Sequence, residues 1–510
     1  MELSELKSVI NTSSRQKAYA RILSDEKMRR ISLDGLEGSS VAFALLNLLQ
    51  LPQASFIVAN DSDEAGYLFH DIEQIEHGEH VAFFPSGYKR DIKYGQVDAP
   101  AGIMRTDVLN RLNRKEPLLV VTYPEALAEK VVQEQVLEKN TLHITRNEPV
   151  DVAFVGEALR EYGFKKVDYV YEPGQYAVRG SILDVFSYSN EYPYRIDFFG
   201  EDVESIRTFD VETQLSREQL DEIYIIPNVC YQVEKGISIL DFIEKNTCIA
   251  FHDVQWTISR IQAVASETLA EQALLTEEVD VHAMEKVVDA ERFARQIEQF
   301  RWIEYGKHTL EQPQATITYH CSLQGIYHKN FELVSESFSR LIVDGYRLYI
   351  TSDSEKQTDR LRDIFGERGD EIKFVPVLRT LHEGFVDNDL HVCCFTDHQI
   401  FDRFHKYNLK SDRARSGKMA LSLRELQQIE VGDYLVHVDH GIGQFGGLTH
   451  TEIAGKRQEA IKVIYKNGDL IYVSIHALHK LSKYRSKEGE TPKLNRLGTG
   501  AWERMKERTK

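Results

Sequence analysis

The chain has 510 residues, 42% hydrophobic and 28% charged, with a formal net charge of −18. That length exceeds what one hydrophobic core serves, so several domains are expected, and that charge excludes a protein coating nucleic acid along its whole surface. Five scattered cysteines (Cys230, Cys248, Cys321, Cys393, Cys394) form no C-x-x-C pair, which excludes a zinc ribbon and fits a reducing compartment.

In chain order, residues 1–140 alternate apolar strands at Ser55–Ala59, Val81–Phe84 and Leu118–Thr122 with helical patterns over Ala65–Ile75 and Glu125–Leu137. Such alternation predicts a parallel α/β sheet. Residues 141–227 change to strands and turns rich in tyrosine, and 228–320 return to helices, notably Glu285–Tyr305. A second small α/β domain is predicted over 321–405, with strands at Arg347–Thr351, Ile372–Val377 and His391–Phe395. Residues 406–428 are mixed and basic and read as a linker, 429–487 as a compact β-barrel, and 488–510 as a lead into a basic helix. MELSELKSVI lacks the basic start and apolar core of a signal peptide, and no apolar run nears a membrane span, so the expectation is a soluble cytoplasmic chain without a membrane partner.

Within the first segment, LDGLEGSSVAF (33–43) sets a glycine-rich bend between a short strand and a helix. A phosphate-binding loop has that setting, but its pattern G-x-x-x-x-G-K-[ST] needs a lysine and a magnesium-binding hydroxyl. Gly35 and Gly38 are present, while Val41 stands at the lysine position and Ala42 at the hydroxyl position. The stretch is either the remains of a nucleotide site or an ordinary Gly-Ser turn, and neither reading supports catalysis.

In Tyr194–Phe199, period-two alternation sets Tyr194, Ile196 and Phe198 on one face and Arg195, Asp197 and Phe199 on the other. Upstream, Ala177 and Arg179 share one face, Tyr176 and Val178 the opposite one. Phe199 among charged neighbours reads as a protein–protein hot spot or as core beneath a second layer. The run YAVRGSILDVF…PYRIDFFGEDVESIRTFD resembles the insert shared by excinuclease B of bacterial nucleotide-excision repair and the transcription-repair coupling factors. In that family the insert docks excinuclease A, and the positions matching the family's contacts are Arg179, Arg195 and Phe199.

The resemblance implies that 1–140 and 228–320 form one split domain around the insert 141–227. GLEGSSVA then corresponds to the working loop GVTGSGKT, making it a degenerate P-loop that binds no nucleotide. The stretch PSGYKRDIKYGQVDAPAG is too short and too poor in aromatics for the DNA-probing hairpin of excinuclease B.

In the C-terminal module, IKVIYKNGDLIYVSI (461–475) reads as a hairpin turning at Asn467-Gly468, with Val463 facing Tyr472. Several short strands there predict an SH3- or Tudor-like barrel. VGDYLVHVDHGIGQFGGL resembles the RNA-polymerase-interacting module of the coupling factors and of CarD-type regulators, where an edge strand pairs with the polymerase β subunit. The expected contact runs over Gln444, Phe445, Gly446, Gly447, Leu448, Thr449, His450 and Thr451. The pairs His437/His440 and His476/His479 fall on strands or strand ends, where i and i+3 diverge, so no metal site is expected. Lys480, Lys483, Arg485 and Lys487 form either a local DNA contact or a solvated surface.

The expected protein is thus an α/β multidomain, non-motor portion of a coupling factor: a degenerate P-loop-type domain with an inserted β-rich domain, a small α/β domain and a C-terminal barrel. It is read as a monomeric adaptor binding RNA polymerase and excinuclease A, with no catalytic residue, metal or cofactor of its own. ATP and magnesium, and most DNA contact, belong to the family's motor domains, absent from the sequence. An active NTPase and a damage-binding protein fit less well. A free-standing CarD-like transcription regulator leaves Arg179, Arg195 and Phe199 without a role.

Overall fold

The computed structural model describes residues 2–76, 80–88, 98–190, 192–200, 202–211, 213–227, 236–275, 286–306, 312–403, 431–437, 440–453, 456–474, 481–483 and 494–496. It divides into two compact units, 1–142 with 226–409 and 143–225 with 410–510. Among the described residues no helix is long and apolar enough to cross a membrane.

The chain first lays down β1 (Arg30–Asp34), β2 (Ser55–Val58), β3 (Val81–Phe83) and β4 (Leu119–Thr122). It then leaves for β5 (Leu142–Thr145), β6 (Lys165–Lys166), β7 (Gln175–Arg179), β8 (Ile182–Val185), β9 (Tyr194–Phe199), β10 (Asp202–Phe209), β11 (Ser216–Leu220) and β12 (Glu222–Ile225). It returns with β13 (Cys248–Phe251), β14 (Arg301–Glu304) and β15 (Ala315–Thr318). Seven of these strands make one parallel sheet in the order β15-β1-β14-β13-β2-β4-β3. The insert is therefore spliced into the crossover between β4 and β13.

β2, β4, β13 and β14 are buried at every position, as sheets covered on both faces require. This corrects the reading of Glu285–Tyr305 as a helix. The helix covers only Ala290–Ile297, and Arg301–Glu304 is a central strand. Its two charges hid it, yet each meets a helix end of opposite sign. Arg301 donates to the carbonyls of Leu23 (2.8 Å) and Ile22 (2.9 Å), at the C-terminus of helix Ser14–Leu23. Glu304, fully buried, accepts the Val254 N–H (3.2 Å) opening helix Val254–Leu275.

The helix expected over Glu125–Leu137 is also broken, into Pro124–Ala128 and Glu134–Lys139. Between them Glu129 and Val131 bridge to Val287 and Ile237. Glu129 also accepts from the Gly87 N–H at 2.9 Å and pairs with Arg105 at 3.3 Å. Those tertiary bonds override local helix preference.

The small α/β domain contributes β16 (Cys321–Leu323), β17 (Arg347–Ser352), β18 (Val375–Leu378), β19 (Phe385–Asp387) and β20 (Val392–Thr396), ordered β16-β19-β20-β17-β18. Of the strand predicted over Ile372–Val377, residues 372–374 lie outside β18. This sheet does not stand apart from the first. Val377, Leu381, Phe385 and Cys394 belong to the same buried cluster as Phe43 and Leu45, and the Phe43 and Phe385 rings lie 5.9 Å apart.

The C-terminal module forms an antiparallel sheet of β21 (Tyr434–His437), β22 (Gly441–Ile453), β23 (Lys456–Ile464), β24 (Leu470–Ser474) and β25 (Leu481–Lys483), ordered β24-β23-β22-β21-β25. The expected pairing of Val463 with Tyr472 is wrong by one residue. Val463 faces Ile471 and Lys462 faces Tyr472. The turn holds three residues, Lys466–Gly468, with Asn467 at φ +71, rather than the two that the Asn-Gly pair suggested.

Candidate functional site

Three sites follow from the sequence, and each is built differently. In the insert, β6–β11 form a sheet in sequential order. A two-residue turn at Gly180-Ser181, with Gly180 at φ +61, sets Arg179 opposite Ile182. The ladder then aligns Ala177, Asp184, Arg195 and Arg207 in one row, and Arg179, Ile182, Asp197 and Ser205 in the next. Directly opposed residues share a face, so the guanidiniums and carboxylates interleave.

Asp184 organises the cluster. Its side chain is 1% exposed and accepts from Arg195 Nε (2.7 Å) and Nη2 (2.9 Å) while also pairing with Arg179. Arg195 is 14% exposed and Arg179 33%. Arg195 also lies 4.2 Å over the buried Phe209 ring, and Arg179 4.8 Å over Tyr169. Asp197 pairs with Arg207 and accepts from Ser205 Oγ at 3.1 Å. At one end the face is covered by Val167 and Val170, packed with Ala177, Phe186 and Phe209. At the other it is open, and there Phe199 is 78% exposed. Phe199 is therefore not core beneath a second layer. A cleft of about 660 Å³, lined by Lys166, Val167, Asp168, Tyr169 and Val178, includes Arg179 in its wall.

Sequence reasoning brought out Arg179, Arg195 and Phe199 and placed Asp197 on their face, but missed Asp184 and Arg207. The Gly-Ser turn was the available signal. Counting outward from it puts Asp184 opposite Ala177, on the face that carries Arg179.

The glycine turn of 35–38 is filled. A Cβ on Gly35, which has φ +70, would lie 2.1 Å from the Tyr319 carbonyl oxygen, and one on Gly38 2.9 Å from that of Gly384. Ser39 donates its N–H to the Glu383 carbonyl at 3.0 Å, and Glu383 returns its N–H to Ser39 Oγ at 3.0 Å. The segment 382–384 of the small α/β domain thus lies against the bend where a phosphate would sit. Below it Asp71 accepts from Ser39 Oγ and from the His382 N–H (2.7 Å), with His382 stacked 3.6 Å from Tyr67. Burial, the largest influence, pushes the Asp71 carboxyl up to about 7. Ala42 is fully buried and Val41 packs against the same core, so the lysine and hydroxyl positions are filled with apolar packing.

In the C-terminal sheet the eight candidate polymerase-contacting residues do not share one environment. Gln444 pairs with both Tyr434 and Ile464 and donates to the Gly432 carbonyl at 2.7 Å, while Phe445 is buried in the sheet's core. The register slips between Phe445 and Leu448, so Gly446 and Gly447 form a bulge opposite Lys462. From Leu448 onward, β22 pairs only with β23 among the described residues. Among the described residues no strand pairs with its other side, and Leu448 is exposed. Thr449 is half-buried, and the side chains of His450 and Thr451 lie outside the described residues. The His437 and His440 rings approach to 4.5 Å, because His440 sits in the turn and escapes strand alternation. No group of three metal-ligating side chains occurs among the described residues. His476, His479, Lys480, Arg485, Lys487 and the linker 406–428 lie outside them, as does the side chain of Lys483.

Two family models match the chain: the UvrB interaction domain over residues 142–231, and the CarD-like/TRCF RID domain over 429–485. A multidomain α/β scaffold bearing these two modules is the class that the fold and sites define. Among curated proteins the chain is similar to transcription-repair-coupling factors. It is 21% identical to that of Bacillus subtilis (strain 168) over 95% of this chain and 47% of that protein. The Staphylococcus aureus (strain bovine RF122 / ET3-1) protein is 21% identical over 90% of this chain and 45% of its own length. The chain spans about half the length of the curated relatives it matches, and it resembles their N-terminal portion.

Proposed function

We propose that the chain is a monomeric adaptor of transcription-coupled nucleotide-excision repair in the cytoplasm. Its C-terminal sheet holds RNA polymerase through the β subunit, and its insert recruits excinuclease A. The observation that carries this reading is the pairing of the two modules on a chain that aligns with transcription-repair-coupling factors over nearly its whole length. Geometry supports each half. The edge of β22 that is unpaired among the described residues offers main-chain groups for strand addition, and the insert presents an exposed aromatic on the face that carries the arginines, the residue types enriched at interface hot spots.

The parallel sheet with its filled glycine turn is read as a vestigial nucleotide-binding domain. This portion hydrolyses no ATP and holds no magnesium, and any DNA contact is local. The translocase belongs to motor domains outside this sequence. Calorimetric titration with excinuclease A, alongside polymerase capture, tests the reading. Phe199→Ala is expected to lose the first partner and keep the second, and Leu448→Asp to do the reverse. Retention of both partners by both variants would sink it.

A further inference from the structure

The face that carries Arg179 and Phe199 does not end at Arg195. Arg195 donates from Nη1 to the Gln214 carbonyl at 3.2 Å and from Nη2 to Gln214 Oε1 at 3.3 Å. Gln214 is thereby held onto the same cluster. It is bonded to its neighbours as well. Gln214 donates its N–H to the Asp210 carbonyl (2.8 Å), Asp210 its own to that of Leu215 (3.0 Å), and Thr213 both N–H (2.9 Å) and Oγ1 (3.1 Å) to Asp210 Oδ1. Gln214 takes φ +60, a left-handed conformation disfavoured for a residue with a β-carbon. All this order presents one apolar side chain to solvent, for Leu215 is 67% exposed. Phe199 stands at the opposite end of β9, four residues and ~13 Å beyond Arg195.

We infer that Leu215 is a second apolar anchor of this docking face, and that the partner's matching patch sets carboxylates between two apolar recesses. The charge requirement follows from the residues between the anchors. Arg179, Arg195 and Arg207 outnumber Asp184 and Asp197 on a chain that is acidic overall. Asp210, Thr213, Gln214 and Leu215 are bonded to one another before binding, so Leu215 gives up little freedom on contact, as an efficient anchor should. The inference rests on the docking role proposed for the insert.

The test is titration of excinuclease A into the whole chain and into Leu215→Ala, Leu215→Met, Phe199→Ala and Val343→Ala. Val343, 85% exposed on the helix Phe331–Val343, controls for indiscriminate loss of apolar surface. Leu215→Ala is expected to weaken binding about tenfold with an unchanged unfolding midpoint, Leu215→Met to restore it, and Val343→Ala to do nothing. Wild-type affinity in Leu215→Ala beside a weakened Phe199→Ala would overturn the second anchor and leave the docking face standing. Equal weakening by Leu215→Ala and Val343→Ala would also overturn it. No binding by folded wild type would remove the docking role itself.

Discussion

Replacement of Asp71 by asparagine tests the filled glycine turn most directly. The folded-state pKa of Asp71 is raised from 3.8 to about 7, so in the intervening range the folded chain holds a proton that the unfolded chain has released. The sign follows. The contribution is fully present below pH 3.8 and is lost as pH rises through about 7. At 1.36 kcal/mol per pKa unit, the loss between pH 5 and 7.5 is roughly 2–3 kcal/mol. Asp71→Asn abolishes this titration. Its amide oxygen can still accept the His382 N–H, but Nδ2 now donates to a Ser39 hydroxyl that had been the donor, at a cost of about 1 kcal/mol. The variant should therefore match wild type near pH 4.5 and exceed it by about 3 kcal/mol at pH 7.5. Urea unfolding of both proteins at pH 4.5, 6 and 7.5 measures the difference, in which other titrating carboxyls such as Asp107, pushed up to about 6 by burial, cancel. A difference that is flat with pH, or a variant less stable at 7.5, would refute the burial of a proton at Asp71.

Four further outcomes are expected. Asp184→Ala strands the Arg195 guanidinium and should destabilise the insert by about 3 kcal/mol, read as a fall in its unfolding midpoint; Phe199→Ala should leave that midpoint alone. Gly35→Ala, which meets both a left-handed φ and the Tyr319 carbonyl, should cost about 3 kcal/mol in chemical denaturation. ATP with magnesium should leave the thermal midpoint unshifted at millimolar concentration, whereas a rise would mean the turn still admits phosphate. Cys248 and Cys393, whose thiols burial pushes up to about 12, should resist iodoacetamide at pH 8 until the chain is unfolded, as followed by mass spectrometry.

The sequence was most informative where one face of an element meets water. Alternation in Tyr194–Phe199 correctly predicted which side chains are buried, because a one-residue slip would have exposed all three apolar ones. It was least informative inside the parallel sheet. Cys248–Phe251 and Arg301–Glu304 are buried on both faces, show no alternation, and are too short for periodicity to separate from helix. The filling of the glycine turn was out of reach for a different reason. Ser39 and Glu383 are 344 residues apart, and no local pattern announces that pairing. Asp184 was legible in part: register counted across the Gly180-Ser181 turn sets it opposite Ala177, but its meeting with Arg195 depends on the separate β8–β9 pairing.

The strand order also dictates a sequence of events during synthesis. β1 has no neighbour among the strands that immediately follow it. Both its partners, β14 and β15, come after the insert, with Ile31 paired to Ile303 and Ala315. At ribosomal rates of about 5–20 residues per second, β1 waits roughly 15–60 s with both edges bare. The insert pairs sequential strands, antiparallel from β7 to β11, and can form in that interval, before the sheet that carries it is complete. The nascent chain thus passes through a stage in which its recruiting module is finished and its foundation is not. During that stage an unpaired RISLD strand is the segment most in need of a chaperone.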